Sequence, residues 1–212
     1  VDSYAVNVEG DRVEGANAFA LLTNLKAEYD KPLQDRVLPV FVSRDDQGVV
    51  SYVIPVWGTG LWGPVWGYIA LAENWDTIEG AVFDHKSETP GLGAEIATPA
   101  FQAQFKGKQI LGPQGNVVAI TLQKGGADPN DPYAVDALSG GTLTSRGVEN
   151  MLKNCLSDYD AYIRKQRAAT GDTASFSSAA DSVSSGGIPV GTGLEESALQ
   201  DGTATGAIPS NT

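Results

Sequence analysis

The chain has 212 residues, 42% of them hydrophobic, enough for one domain with a sizeable core plus a tail. Its 14 Lys+Arg face 26 Asp+Glu, a formal charge of −12 that argues against a nucleic-acid binder or a basic contact with anionic lipid. One cysteine, Cys155, and one histidine, His85, exclude an intramolecular disulfide and most all-protein zinc sites.

No apolar run approaches the ~20 residues that span a bilayer. The chain opens on Val1, with no methionine and no basic leader before it. It therefore reads as a processed or truncated product, with any membrane anchor lying upstream. Residues 1–31 form a predicted helical lead-in, with an amphipathic stretch at Phe19, Leu22, Leu25 and Tyr29. Residues 32–167 carry the core. Residues 168–212 contain no Lys or Arg and are rich in Ser, Gly, Thr and Ala. Their acids, Asp172, Asp181, Glu195, Glu196 and Asp201, mark an acidic tail or loosely docked arm.

Within the core, LPVFVS and VVSYVIPV flank an RDDQG turn and predict a hairpin over 38–43 and 49–56. PVWGYIAL (64–71) predicts a third strand and TIEGAVFDHK (77–86) a fourth, after an ENWD turn. Ile96, Phe101 and Phe105 predict helix over 94–105, interrupted at Pro99, and NVVAITLQK (116–124) predicts a fifth strand. Val148, Met151, Leu152, Cys155, Leu156, Tyr159, Tyr162 and Ile163 fall on one face of a helix over 145–166. The sum is an α+β domain, a mainly antiparallel sheet with helices packed against it.

Three loops carry chemistry. GTGLWG (58–63) has the spelling of a dinucleotide fingerprint, but a strand follows it where that fold needs a helix, so a glycine-rich hairpin loop is the better reading. Trp57, Leu61, Trp62 and Trp66 make it unusually apolar, suited to core packing or to a planar ligand. HKSETPGLG (85–93) is turn chemistry leading into a helix, with amides and a threonine hydroxyl that fit polar ligand atoms. His85 has no partners for a Ser-His-Asp arrangement. DALSGGTLTS (136–145) precedes the long helix, whose start is expected at Thr144 or Ser145, both good caps. A helix start attracts an anion, and Gly140 and Gly141 allow close approach, so the corner is either a plain capped turn or a phosphate site near Thr142.

GTGLWGPVWGYIAL, FDHKSETPGLGAEI and DALSGGTLTSRGVEN together resemble, in order and spacing, the FMN-binding domain of the C subunit of the sodium-translocating NADH:quinone oxidoreductase. The resemblance runs over about 38–150, and the G subunit of the Rnf complex is a related protein. It implies FMN joined through its phosphate to a threonine in a D-x-x-S/T-G-A-T motif, installed by a flavin transferase from FAD. Asp136, Ser139, Gly140 and Thr142 match that motif, with Thr142 as acceptor; Gly141 stands where the family usually has alanine. The cradle for the ring is then expected from Leu61, Trp62, Glu88, Thr89, Leu92 and Gly93. The implied task is electron carriage within a sodium-pumping complex, with no independent catalysis. Implied too are partner subunits, an upstream membrane helix and a periplasmic placement at a bacterial inner membrane. Two other readings stay open: a flavin domain of an Rnf-type or extracellular pathway, and a non-flavin binding module.

Overall fold

The computed structural model describes residues 2–171. Beyond Gly171 the expected acidic tail lies outside the described residues. Five antiparallel strands form one sheet in sequential order: β1 (Asp2–Asn7), β2 (Val37–Arg44), β3 (Val50–Thr59), β4 (Pro64–Leu71) and β5 (Ile78–His85). β2 to β5 lie where the β-branched runs place them. β1 is the addition: DSYAVN is short and polar at both ends, yet it pairs antiparallel with β2, Tyr4 opposite Val40. The predicted lead-in thus contributes an edge strand to the core sheet. Its amphipathic stretch forms two short helices, α1 (Ala18–Thr23) and α2 (Leu25–Tyr29).

Turn chemistry sets the hairpins. Asp45 Oδ1 accepts from the amides of Gln47 and Val49, closing the β2–β3 turn. Asn74 Oδ1 accepts from those of Asp76 and Thr77, closing the β4–β5 turn. Each edge strand is bonded at one end to a neighbouring segment, which shortens the edge open to other chains. Residues 11–13 bond back to β1, and Gly107 and Lys108 to Ile78 of β5.

Side chains alternate across the strands. Leu38, Val40, Ile54, Val56, Val65, Ile69 and Phe83 are buried on one face. The long helix covers them with Val148, Met151, Leu152, Cys155 and Leu156, each burial worth about 1.5–3 kcal/mol. That helix is two helices: α4 (Thr142–Ser157) and α5 (Asp160–Ala169). The apolar period runs through both, so the sequence could not show the break. Asp158 pairs with Arg36 at 2.8 Å and the Tyr159 hydroxyl donates to Pro39 O at 2.9 Å, turning the chain at the junction.

The predicted strand over 116–124 is a correction. Ala119 sits at φ 61, a left-handed conformation that interrupts the extended run. Only β6 (Thr121–Gln123) remains, paired parallel with β7 (Ala134–Asp136) in a separate two-stranded sheet. The region over 94–105 does break at Pro99, into a 3-10 segment (Gly93–Ala97) and α3 (Pro99–Ala103) capped by the Thr98 side chain.

α4 meets the end of β3 with no side chain between: a Cβ on Gly147 would collide with the Thr59 carbonyl. Gly147→Ala gains about 1 kcal/mol of helix propensity and loses ~1–3 to overpacking. A net loss of up to about 2 kcal/mol by urea unfolding is the expected result. Burial pushes the Cys155 thiol up from 9.0 to about 11. The folded chain then keeps a proton that the unfolded chain loses above pH 9, so stability falls from pH 9 to about 11. The fall is roughly 2–3 kcal/mol, and Cys155→Ala should flatten it between pH 9 and 10. Above pH 10, Tyr29 and Tyr159, also raised by burial, act in the same direction.

Candidate functional site

The contact between Gly147 and Thr59 brings the start of α4 beside the loop joining β3 to β4. The loop after β5 folds against both. A cavity of about 300 Å³ opens where the three meet, lined by Leu61, Trp62, Glu88, Thr89, Leu92, Gly93, Gly140, Gly141, Thr142, Leu143 and Thr144. Nine of the eleven residues singled out from the sequence are among them.

The other two lie elsewhere. Asp136 ends β7, where its Oδ1 accepts from Ala127 N at 2.7 Å and its amide donates to Gln104 Oε1. It shapes the approach to the corner from outside the cavity. Ser139 is exposed on the turn and does not line the cavity. Two residues that the sequence reading did not place in the cavity do line it: Leu143 and Thr144. Both directly follow the expected acceptor Thr142 in the sequence, which is the signal the sequence holds, and Leu143 is 54% exposed despite its apolar side chain.

The GTGLWG loop is a hairpin turn, Gly60 N bonding Gly63 O at 2.8 Å, as its flanking strands require. Glu88 fixes it in place. This carboxylate is 4% exposed, and its two oxygens accept from different elements. Oε1 takes the Trp62 amide at 2.8 Å, and Oε2 takes the Thr144 hydroxyl at 2.5 Å. Side chains at Gly60 and Gly93 would crowd it, a Cβ falling 2.6 Å from Oε1 and 2.5 Å from Oε2 respectively. His85 supports Glu88 by accepting its amide on Nδ1 at 3.2 Å.

The helix begins two to three residues earlier than expected, at Thr142 with Gly141 as cap residue. Thr144 and Ser145 are not caps. Both are buried and turned inward, Thr144 to Glu88 and Ser145 Oγ to the Leu138 amide at 3.0 Å. Gly141 offers no side-chain cap and the first turn holds no acid. The first-turn amides are therefore open to an outside anion, at a helix end that the Glu88 carboxylate approaches from behind through Thr144. Gly140 reaches this geometry at φ 72, a conformation suited to glycine.

Around the exposed Thr142, four large apolar side chains stand open to solvent: Leu61 46%, Trp62 65%, Leu92 42% and Leu143 54%. Such convergence is uncommon on a water-facing surface and suits a flat apolar ring. The arrangement can hold an anion at the helix start, offer a hydroxyl beside it and shelter a planar group. These are the demands of a phosphorylated flavin. A larger cleft of about 670 Å³ between α2 and α4 contains none of the eleven residues.

Glu88→Ala would leave the Trp62 amide and the Thr144 hydroxyl without their acceptor. A loss of about 1–3 kcal/mol in chemical unfolding is expected, with a smaller loss for Glu88→Gln, whose one amide oxygen can still accept from the Trp62 amide while its NH2 turns to the Thr144 oxygen.

An FMN-binding domain family matches residues 60–157. The C subunit of the Na(+)-translocating NADH-quinone reductase from Yersinia pestis is 39% identical over 134 residues, 62% of this chain and 50% of that protein. The corresponding Haemophilus ducreyi protein is 35% identical over 177 residues, 76% of this chain and 68% of that protein. The chain thus spans half to two thirds of these relatives. The crystal structure of the same subunit from Parabacteroides distasonis superposes with a TM-score of 0.66 at 41% identity, covering 77% of each chain. That of Shewanella oneidensis NqrC gives 0.67 at 29% identity, covering 79% of this chain and 84% of its own.

Proposed function

Because the chain belongs to the family of the C subunit of the Na(+)-translocating NADH-quinone reductase, we propose that it carries electrons on FMN joined by a phosphoester to Thr142. One observation carries the reading. Thr142 is the exposed first residue of a 16-residue helix with no side-chain cap, inside a rim of exposed apolar side chains.

FMN supplies one-electron exchange; the chain supplies place and field. The Thr142 hydroxyl oxygen is the point of attachment: a flavin transferase would break the pyrophosphate of FAD, join the FMN phosphorus to that oxygen in place of its proton and release AMP. Amides at the start of α4 would hold the phosphate, where the helix dipole favours negative charge. Trp62, Leu61, Leu92 and Leu143 shelter the ring from water. Thr89 and the backbone at Gly93 offer polar contacts at its edge. Glu88 keeps the two walls in register from behind, through Trp62 N and Thr144.

In this reading the domain serves a sodium-pumping quinone reductase. Other subunits deliver and withdraw electrons, from an iron–sulfur centre and to the FMN of the B subunit. A membrane helix upstream of this segment holds the domain at the periplasmic face of the bacterial inner membrane. Among the described residues no helix is long and apolar enough to cross a membrane.

Co-expression with an active flavin transferase should raise the mass of the chain by one FMN less water. Thr142→Ala should abolish the rise and Thr142→Ser should keep it. An unmodified wild-type chain beside a modified control substrate would overturn the reading. Gly141→Ala is expected to slow attachment, although alanine is usual in the family. Here its Cβ would lie 2.9 Å from Leu138 Cβ and push the turn that presents Thr142.

A further inference from the structure

Arg146 follows Thr142 by four residues in α4. The two side chains therefore share one helix face, one turn apart. Helical side chains lean towards the N-terminus and cover the preceding turn. Arg146 does not line the cavity itself, but from one turn on it is placed to reach the surface beside Thr142.

Arg146 is exposed, and it makes no hydrogen bond, ion pair or ring contact among the described residues. The other arginines are engaged. Arg36 holds Asp158 at 2.8 Å, Arg164 holds Asp160 at 2.7 Å, and Arg12 lies 3.9 Å over the Tyr4 ring. Arg44 interacts electrostatically with Tyr52, and Arg167 is also partnered. No acid in the first turn competes for Arg146. Glu149, three residues on, is turned to the Leu122 amide at 2.8 Å.

The charge balance at this corner asks for a cation. Glu88 already lies behind the first turn, bonded to Thr144. A phosphodiester on Thr142 sets a second negative charge on the same helix end, in a chain of net charge −12. Main-chain amides bring partial charges only. A guanidinium fork matches two phosphate oxygens and stays charged at every working pH.

We propose that Arg146 binds the phosphate of the FMN carried on Thr142 and neutralises it there. The proposal rests on the reading of Thr142 as the attachment site. It adds a side-chain cation to a site whose other polar side chains are three threonines and the Glu88 carboxylate.

The test combines attachment kinetics with a thermodynamic cycle, on the full chain. With purified flavin transferase and FAD at low salt, Arg146→Gln should be modified about three- to tenfold more slowly than wild type. The gap should close at high salt, and Arg146→Lys should recover part of the rate. Reactions are then run to completion and Tm is compared. Arg146→Gln should lower the Tm of the flavin-bearing protein by about 1–4 °C and leave the unmodified protein unchanged. A slow rate with equal Tm effects in both forms assigns Arg146 to transferase docking and overturns the proposal. Equal rates and equal Tm values overturn it as well, as does a failure of both Arg146→Gln and Arg146→Lys to be modified at all. In each of these cases a flavinylated wild type leaves the attachment site standing. A wild type that takes no flavin removes the premise, which is a different result.

Discussion

The Glu88 carboxylate is the constraint on which the site depends. It is buried, and a buried carboxylate persists only where hydrogen bonds replace its lost water. Here those bonds come from the β3–β4 loop through Trp62 N and from the first turn of α4 through Thr144. A single side chain therefore ties two walls of the cavity to the loop that supplies the third. The carboxylate also lies at the positive end of α4, which lowers the cost of burying its charge. Glycines at 60 and 93 are the steric counterpart, since a methyl at either would occupy the space of its oxygens.

α4 joins stability to chemistry. Its inner face, from Val148 to Leu156, is core, and its first turn is the wall of the site. Close packing of Gly147 on Thr59 fixes where the helix stands on the sheet. That in turn fixes Thr142 relative to Trp62. Changes in the core are thereby felt at the site even where no site residue is altered.

Local signals in the sequence suffice where one local rule governs. The hairpins at RDDQG and ENWD follow from Asp45 and Asn74 bonding their own turns, and the break at Pro99 from proline itself. They do not suffice where local rules compete. Thr144 and Ser145 have the chemistry of caps, but tertiary partners claimed both hydroxyls, so the helix starts at Thr142 with a glycine cap. The strand over 116–124 has β-branched residues, yet Ala119 turns left-handed and breaks it. β1 was invisible because its pairing partner, β2, lies some thirty-five residues away and gives the short segment its order.

By itself the sequence determined the α+β class, the β2 to β5 strands in chain order, the apolar face of the last helices and the three loops that line the candidate cavity. These follow from side-chain period, turn residues and motif spelling, all of which are local. Only the tertiary structure decided that those loops meet at one cavity, that Asp136 and Ser139 stand outside it, and that Glu88 binds its walls together. Those outcomes depend on contacts between residues 26 and 56 positions apart in the chain, for Trp62 and Thr144 with Glu88. Such contacts form only after the sheet and α4 have packed, and no local pattern encodes them.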